Sequence, residues 1–199
     1  MTLADKLRAA LEIGHRSSPE LIGSDGLDEE ALARGLTPAA VLVAVVDRPE
    51  PTVILTLRPE TMRKHPGQVS FPGGRIDPGD DGPIDAALRE AEEEIGLDRT
   101  RVEIIGIADT YLTVTGFEVT PVLGIVPPDL PLTPHPGEVA AVFEAPLHHI
   151  LDPAHQHVRT AFWRGRERTY YVIDWQEQHI WGATAAMIVN LGRRLALAR

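Results

Sequence analysis

Residues 89–96 read Arg-Glu-Ala-Glu-Glu-Glu-Ile-Gly, with four carboxylates in five positions. On a helix, with about 100° between successive residues, Ile84, Ala87, Leu88, Ala91 and Ile95 form one apolar stripe. Glu90 and Glu94 fall about 40° apart on its flank, Glu93 stands beside them, and Glu92 points away. Like charges at i,i+4 cost a helix a few tenths of a kcal/mol. A divalent cation turns that repulsion into binding, because hard cations such as Mg²⁺ take carboxylate oxygens and keep several waters. The alternative is a solvated acidic face on which Arg89 pairs with Glu93 at i,i+4. A second group of chemical interest is Arg58, Arg63, Lys64 and His65, a basic cluster in an acidic chain. Beside a metal site it suits a phosphorylated ligand. Otherwise Arg58 and Arg63 pair with Glu60 or other loop acids.

Just upstream of the acids stands Phe71-Pro72-Gly73-Gly74. Adjacent glycines let backbone approach a ligand closely and offer carbonyls to a cation. Gly74, Asp80, Arg89-Glu90-x-x-Glu93-Glu94-x-Gly96-Leu97 resembles the signature of the Nudix hydrolase family. Two departures stand out. The upstream acid is Asp80 rather than glutamate, and eight residues rather than seven separate it from Arg89. The resemblance implies an α/β/α sandwich with a mixed β-sheet and hydrolysis of a nucleoside diphosphate linked to another moiety. It implies Mg²⁺ or Mn²⁺ held by Glu90, Glu93, Glu94 and the Gly74 carbonyl, with Arg89 orienting a glutamate by charge-assisted hydrogen bonds. The general base stays open between a helix glutamate, with Glu93 the catalytic candidate, and Glu138 in His135-Pro136-Gly137-Glu138.

The preceding segment narrows the branch. Ile54-Leu55-Thr56-Leu57-Arg58, Arg63, Gly67 and Phe71-Pro72-Gly73-Gly74 resemble, with matching spacing, the additional motif of the coenzyme A pyrophosphatase branch. Ile54 replaces a leucine, and Pro59 replaces a serine, removing a hydroxyl and a backbone N–H. Similarity extends through Gly67-Gln68-Val69-Ser70, Thr113-Val114-Thr115-Gly116 and Ile180-Trp181-Gly182-Ala183-Thr184. The implied substrate is coenzyme A or acyl-CoA, contacted by Arg58, Arg63, Lys64, His65 and the Gly73 backbone. ADP-ribose, a dinucleotide or a nucleoside triphosphate is the alternative.

The elements that must position these residues are legible. Pro83–Ile95 reads as the acidic helix, with Asp80 and Asp81 suited to its cap, Pro83 to its first position and Gly96 to its stop. Strands are expected at 39–46, 52–57, 102–109, 118–126 and 139–144, and a hairpin at 157–163 and 169–175 around Gly165. Helices are expected at 2–14, 27–34, 146–151 and 180–198. Interleaved strands and helices give an α/β or α+β class, with residues 1–35 a helical extension and 36–199 one domain. Residues 58–83 read as a long ordered loop.

Composition bounds the rest. The 199 residues carry 19 Lys+Arg and 29 Asp+Glu, a formal charge of −10. That argues against a nucleic-acid polymer as partner. With no cysteine, disulfides and thiolate zinc sites are out. The longest apolar run, Ala39–Val46, is far short of the roughly 20 residues of a membrane helix. A cytoplasmic location without membrane attachment is the expectation. His148, His149, His155 and His157 lack metal-ligand spacing. Trp163, Trp175 and Trp181 are either adenine-stacking or packing residues. Met187, Ile188, Leu191 and Leu195 read as packing, with a homodimer contact as the alternative.

Overall fold

The run 39–46 is apolar without alternation because both faces of its strand are covered. In a computed structural model, which describes residues 1–24, 35–62, 65–163 and 166–196, β1 (Thr37–Val46) is the spine of a mixed sheet. It runs parallel to β7 (Phe117–Val126), from Thr37 opposite Phe117 to Val46 opposite Val126. On its other edge β2 (Thr52–Leu57) pairs antiparallel at Val45–Val46, and β4 (Gly73–Arg75) at Ala39–Val41. The sheet order is β3-β2-β1-β7-β5, with β3 at Val69–Ser70 and β5 at Glu103–Ile107. β6 (Tyr111–Leu112) joins β7, and β8 (Ala141–Pro146) joins β2.

Alternate β1 side chains feed two cores. Ala40, Leu42, Ala44 and Val46 pack with Ala86, Ala87, Ala91 and Ile95 of α2 (Gly82–Ile95). Ala39, Val43 and Val45 join the opposite core, with Leu7 and Leu11 of α1 (Leu3–Arg16), Ile150 of α3 (Leu147–Leu151), and Ile188 and Leu191 of α4 (Ala183–Ala196). The architecture is therefore the expected α/β/α sandwich. Arg194 of α4 ties α1 down, donating to the carbonyls of Gly14 (2.5 Å) and Ser17 (2.8 Å) and to both oxygens of Asp109 (2.6 and 2.7 Å). Among the described residues no helix is long and apolar enough to cross a membrane.

A second sheet of order β11-β10-β9 is built from β9 (Gln156–Trp163), β10 (Arg166–Trp175) and β11 (Gln178–Trp181). Here the expected closing helix is shortened. Ile180 and Trp181 belong to β11, and α4 begins only after Gly182 turns the chain at φ 64°. Ile180 is fully buried, so the apolar period that suggested a helix came from a strand. The residues read as packing do pack, with Met187, Ile188 and Leu191 buried and Leu195 against the same core. The long loop 58–83 contains two short strands, β3 and β4. The expected helix 27–34, Arg63, Lys64 and Gly165 lie outside the described residues.

Candidate active site

α2 presents its acids where β4 crosses β1. Gly96 stops the helix in a left-handed conformation (φ 66°), its N–H returning to the Glu92 carbonyl at 2.9 Å. Asp81 occupies the N-cap, but its side chain makes no capping bond. Asp80, the other expected cap, is turned elsewhere. Its oxygens accept Arg89 Nε at 2.8 Å and Nη2 at 3.0 Å, and the Asp77 N–H at 2.7 Å. This fork-on-fork pairing holds the Asp80 carboxyl down at about 2 and pushes Arg89 further up. The question left by the motif's irregular spacing has a geometric answer. The shorter acid and the extra residue still deliver a bidentate anchor for Arg89.

Arg89 spends its remaining donors on the site. Nη2 donates to the Arg75 carbonyl at 3.0 Å, and Nη1 to Glu90 Oε1 and Glu93 Oε2, each at 3.0 Å. Arg89 is thus a positioning residue with Asp80 behind it. Asp80→Asn is expected to lower turnover about tenfold to 100-fold, on the scale of lost outer-shell contacts to metal ligands. The loss should appear in kcat more than in KM, and Asp80→Glu should recover part of it. Equal kcat in Asp80→Asn and the parent protein would remove Asp80 from this role.

The three glutamates differ. Glu94 is 5% exposed, although the apolar stripe expected Leu88 in the buried set and placed Glu94 on its flank. Its carboxylate accepts the Gly73 N–H at 3.2 Å. Burial raises its pKa to about 7, with Glu90 and Glu138 adding repulsion and the Gly73 N–H and Arg58 opposing it. Burial likewise raises Glu90, against the Arg89 bond. Glu93 is the outlying member. Its side chain is 58% exposed and turned to Arg89, the i,i+4 pair weighed as the alternative to metal binding. Among the described residues no three acids or histidines already stand in metal-holding geometry. Arg89 holds two of the three glutamates instead.

Gly73 and Gly74 bring β4 against these acids. A side-chain carbon at Gly74 would lie 2.5 Å from the Glu90 carboxyl carbon, so Gly74 is a cradle for Glu90. The turn carrying Glu138 is fixed at both ends. His135 donates to the Glu94 carbonyl at 2.8 Å, and Ala140 to the Leu57 carbonyl at 2.8 Å. Val139 is buried, while Glu138 is exposed and close enough to raise both Glu90 and Glu94. Arg58 leaves the end of β2 with its N–H on the Gln68 carbonyl at 3.0 Å. Its Nε is buried and has no hydrogen-bond partner among the described residues, and its charge is felt by Glu94. His65 is exposed, with φ 54°. The structure therefore brings Arg58, Gly73, Gly74, Arg89, Glu90, Glu94 and Glu138 together, with Glu93 at the rim.

Trp175 and Trp181 pack elsewhere. Trp175 lies against the core and the His149 ring at 4.9 Å, and Trp181 lies edge-on to Tyr170 at 6.0 Å. Sequence reasoning missed the Gly73 N–H as the donor to Glu94. The Phe-Pro-Gly-Gly run was its signal, read there as close approach to a ligand and as carbonyls for a cation.

A mixed sheet between helices, with clustered acids facing a glycine turn, defines a Nudix hydrolase. The NUDIX domain model matches residues 36–175, and the chain belongs to that family, whose members hydrolyse phosphoric anhydrides with divalent cations. It is 48% identical over 157 residues to a Cronobacter sakazakii protein titled "Uncharacterized Nudix hydrolase NudL", covering 79% of this chain and 82% of that one. To the Escherichia coli K12 protein of the same title it is 45% identical over 160 residues, covering 80% and 83%. Among solved structures, the Nudix hydrolase RenU of M. smegmatis matches with TM-score 0.49 and 22% identity over 58% of this chain and 73% of that one.

Proposed function

We propose that this chain cleaves the diphosphate of coenzyme A or acyl-CoA, adding water across the phosphoric anhydride. The products are 3′,5′-ADP and 4′-phosphopantetheine or its acyl form. The observation that carries this reading is Arg58, whose buried Nε has no hydrogen-bond partner among the described residues and whose charge is felt by Glu94. An arginine so placed suits a phosphate oxygen. It belongs to the segment 54–74 that carries the coenzyme A pyrophosphatase resemblance.

The site's chemistry fits Mg²⁺ or Mn²⁺. A buried carboxylate whose midpoint is raised to about 7 beside a second carboxylate is a ligand set that a hard cation relieves. Glu90, Glu94, Glu93 and the Gly74 carbonyl would hold it, and the bound ion would neutralise the diphosphate and acidify a water. Arg89 fixes Glu90 and Glu93. Glu138, exposed and on an anchored turn, would take the proton of the attacking water, with Glu93 as the alternative base. Arg58, Arg63, Lys64 and His65 would face the polyanion, turning the local charge from acidic to basic.

Pro59, where the branch motif has serine, favours the second reading, a Nudix hydrolase of ADP-ribose, a dinucleotide or a nucleoside triphosphate. Parallel incubation with coenzyme A, acyl-CoA, ADP-ribose and a nucleoside triphosphate plus Mg²⁺ or Mn²⁺ separates the two. The expected result is 3′,5′-ADP from the first two. Intact coenzyme A alongside cleaved ADP-ribose would overturn the branch. In the same assay Arg63→Ala should raise KM more for coenzyme A than for its 3′-dephospho form. Equal effects would deny Arg63 a contact with the 3′-phosphate.

A further inference from the structure

β3 is two residues long and forms the edge of the main sheet beside β2. It pairs with β2 at Thr56–Ser70 and Leu57–Val69, and one residue earlier the Gln68 carbonyl takes the Arg58 N–H at 3.0 Å. Main-chain groups alternate sides along an antiparallel strand. With Gln68 turned to β2, the Val69 carbonyl points away from it, where the ladder offers no donor. Val69 is buried, so bulk water offers none either. Thr184 supplies the partner. From the second position of α4 its hydroxyl, on a residue 5% exposed, donates to the Val69 carbonyl at 3.0 Å. Beside it Gly182 turns the chain at φ 64°, and a methyl there would lie 3.6 Å from Gln68 Nε2, so the Gln68 side chain rests on that turn.

The bond from α4 thus reaches a strand that stands between two limbs of the active site. Downstream, Gly73 meets Glu94, and that limb has anchors of its own. The Thr56 hydroxyl holds the Ser70 carbonyl at 3.1 Å, the Leu42 N–H holds the Pro72 carbonyl at 2.8 Å, and β4 pairs with Ala39–Val41. Upstream, the limb that Arg58 opens and Gln68 closes is bonded to β2 at its base. A buried carbonyl stripped of its donor is costly. A two-residue strand can relieve that cost by peeling from β2 at Gln68, the end without a second anchor. Loss of the Thr184 hydroxyl should therefore loosen the Arg58 limb and spare the glycine turn against the glutamates.

We propose that Thr184 is a positioning residue for substrate binding: by holding the Val69 carbonyl it sets Gln68 and, through the Gln68–Arg58 bond, the place of Arg58. This rests on the reading of Arg58 as a ligand of the substrate's phosphates. Thr184→Val keeps the side chain's shape and removes the hydroxyl. It should raise KM for the anhydride that the parent cleaves at least about fivefold, leave kcat within about twofold, and speed amide exchange at Arg58 at least about fivefold. Thr184→Ser should restore both. Should Thr184→Val not fold, Thr184→Ala is read in the same way. Asn190→Leu is the control, since it removes two bonds of 2.8 Å from the same helix to the Ile22 backbone. It should lower the melting temperature without moving KM. Arg58→Ala, measured alongside, should raise KM at least as far as Thr184→Val. If Arg58→Ala leaves KM unchanged, the phosphate reading of Arg58 fails and takes the proposal with it. If Arg58→Ala raises KM and Thr184→Val does not, the positioning role alone is overturned. Unchanged Arg58 exchange in Thr184→Val, or a KM raised equally by Asn190→Leu, overturns it as well.

Discussion

Replacing Glu94 with glutamine is expected to lower turnover at least about 100-fold and, in the same protein, to stabilise the metal-free fold at pH 8. The first effect follows from removing a proposed cation ligand while keeping the side chain's shape. The second follows from burial. Glu94 is 5% exposed, and its midpoint lies at about 7 against an ordinary 4.5. The folded, metal-free protein therefore holds this proton more tightly than the unfolded chain does. Stability carries no penalty from Glu94 below about pH 4.5, declines between there and pH 7, and bears the whole penalty above. At about 1.4 kcal/mol per pH unit, that penalty is on the order of 3 kcal/mol. Glutamine removes it and still accepts the Gly73 N–H. Cation affinity of the parent protein should fall as pH drops below about 7, where a proton must be displaced. Thermal melts with a chelator at pH 5 and pH 8, combined with turnover, read both effects. Near-normal turnover in Glu94→Gln removes it as a ligand. A variant less stable than the parent at pH 8 removes the buried-charge argument.

The same residue shows what the sequence made legible. Helical spacing put Glu90, Glu93 and Glu94 on one helix, α2, and the Gly96 stop followed from the left-handed turn that glycine permits. Spacing alone gave Glu94 a flank, because it describes one helix and knows nothing of the strand against it. Burial of Glu94 depends on the approach of β4, fixed by its pairing with Ala39–Val41 some 30 residues upstream. Arg89 was expected to orient a glutamate, and it does bind Glu90 and Glu93. Its anchor at Asp80 was obscured, since motif spacing counts residues while the 77–81 turn sets the carboxylate's direction. Strands β1, β2 and β7 were readable from continuous apolar runs. β3, β4 and β6 were not, being only two or three residues long and defined by the neighbours they pair with. Ile180 misled because one buried apolar residue fits either period.

The adjacent glycines should separate fold from function. At Gly73 an added methyl would lie 2.6 Å from the Val41 Cα and closer still to the Ala40 carbonyl oxygen. Both belong to the backbone of β1, the central strand, which cannot yield without opening the sheet. Gly73→Ala is therefore expected to cost about 3 kcal/mol or more, at the upper end for overpacking, and to withdraw the N–H that meets Glu94. At Gly74 the atoms nearest the methyl would be those of the Glu90 carboxyl group, the end of a flexible side chain. Gly74→Ala should fold with a loss of no more than about 1 kcal/mol, yet swing Glu90 out of the position that Gly74 leaves open for it. Cation affinity and turnover should then fall together at least tenfold. Denaturant melts of the two variants, paired with cation titration of Gly74→Ala, test the contrast. Equal stability losses would mean that β4 can shift away from β1. Unchanged cation affinity in Gly74→Ala would take Glu90 out of the proposed metal site.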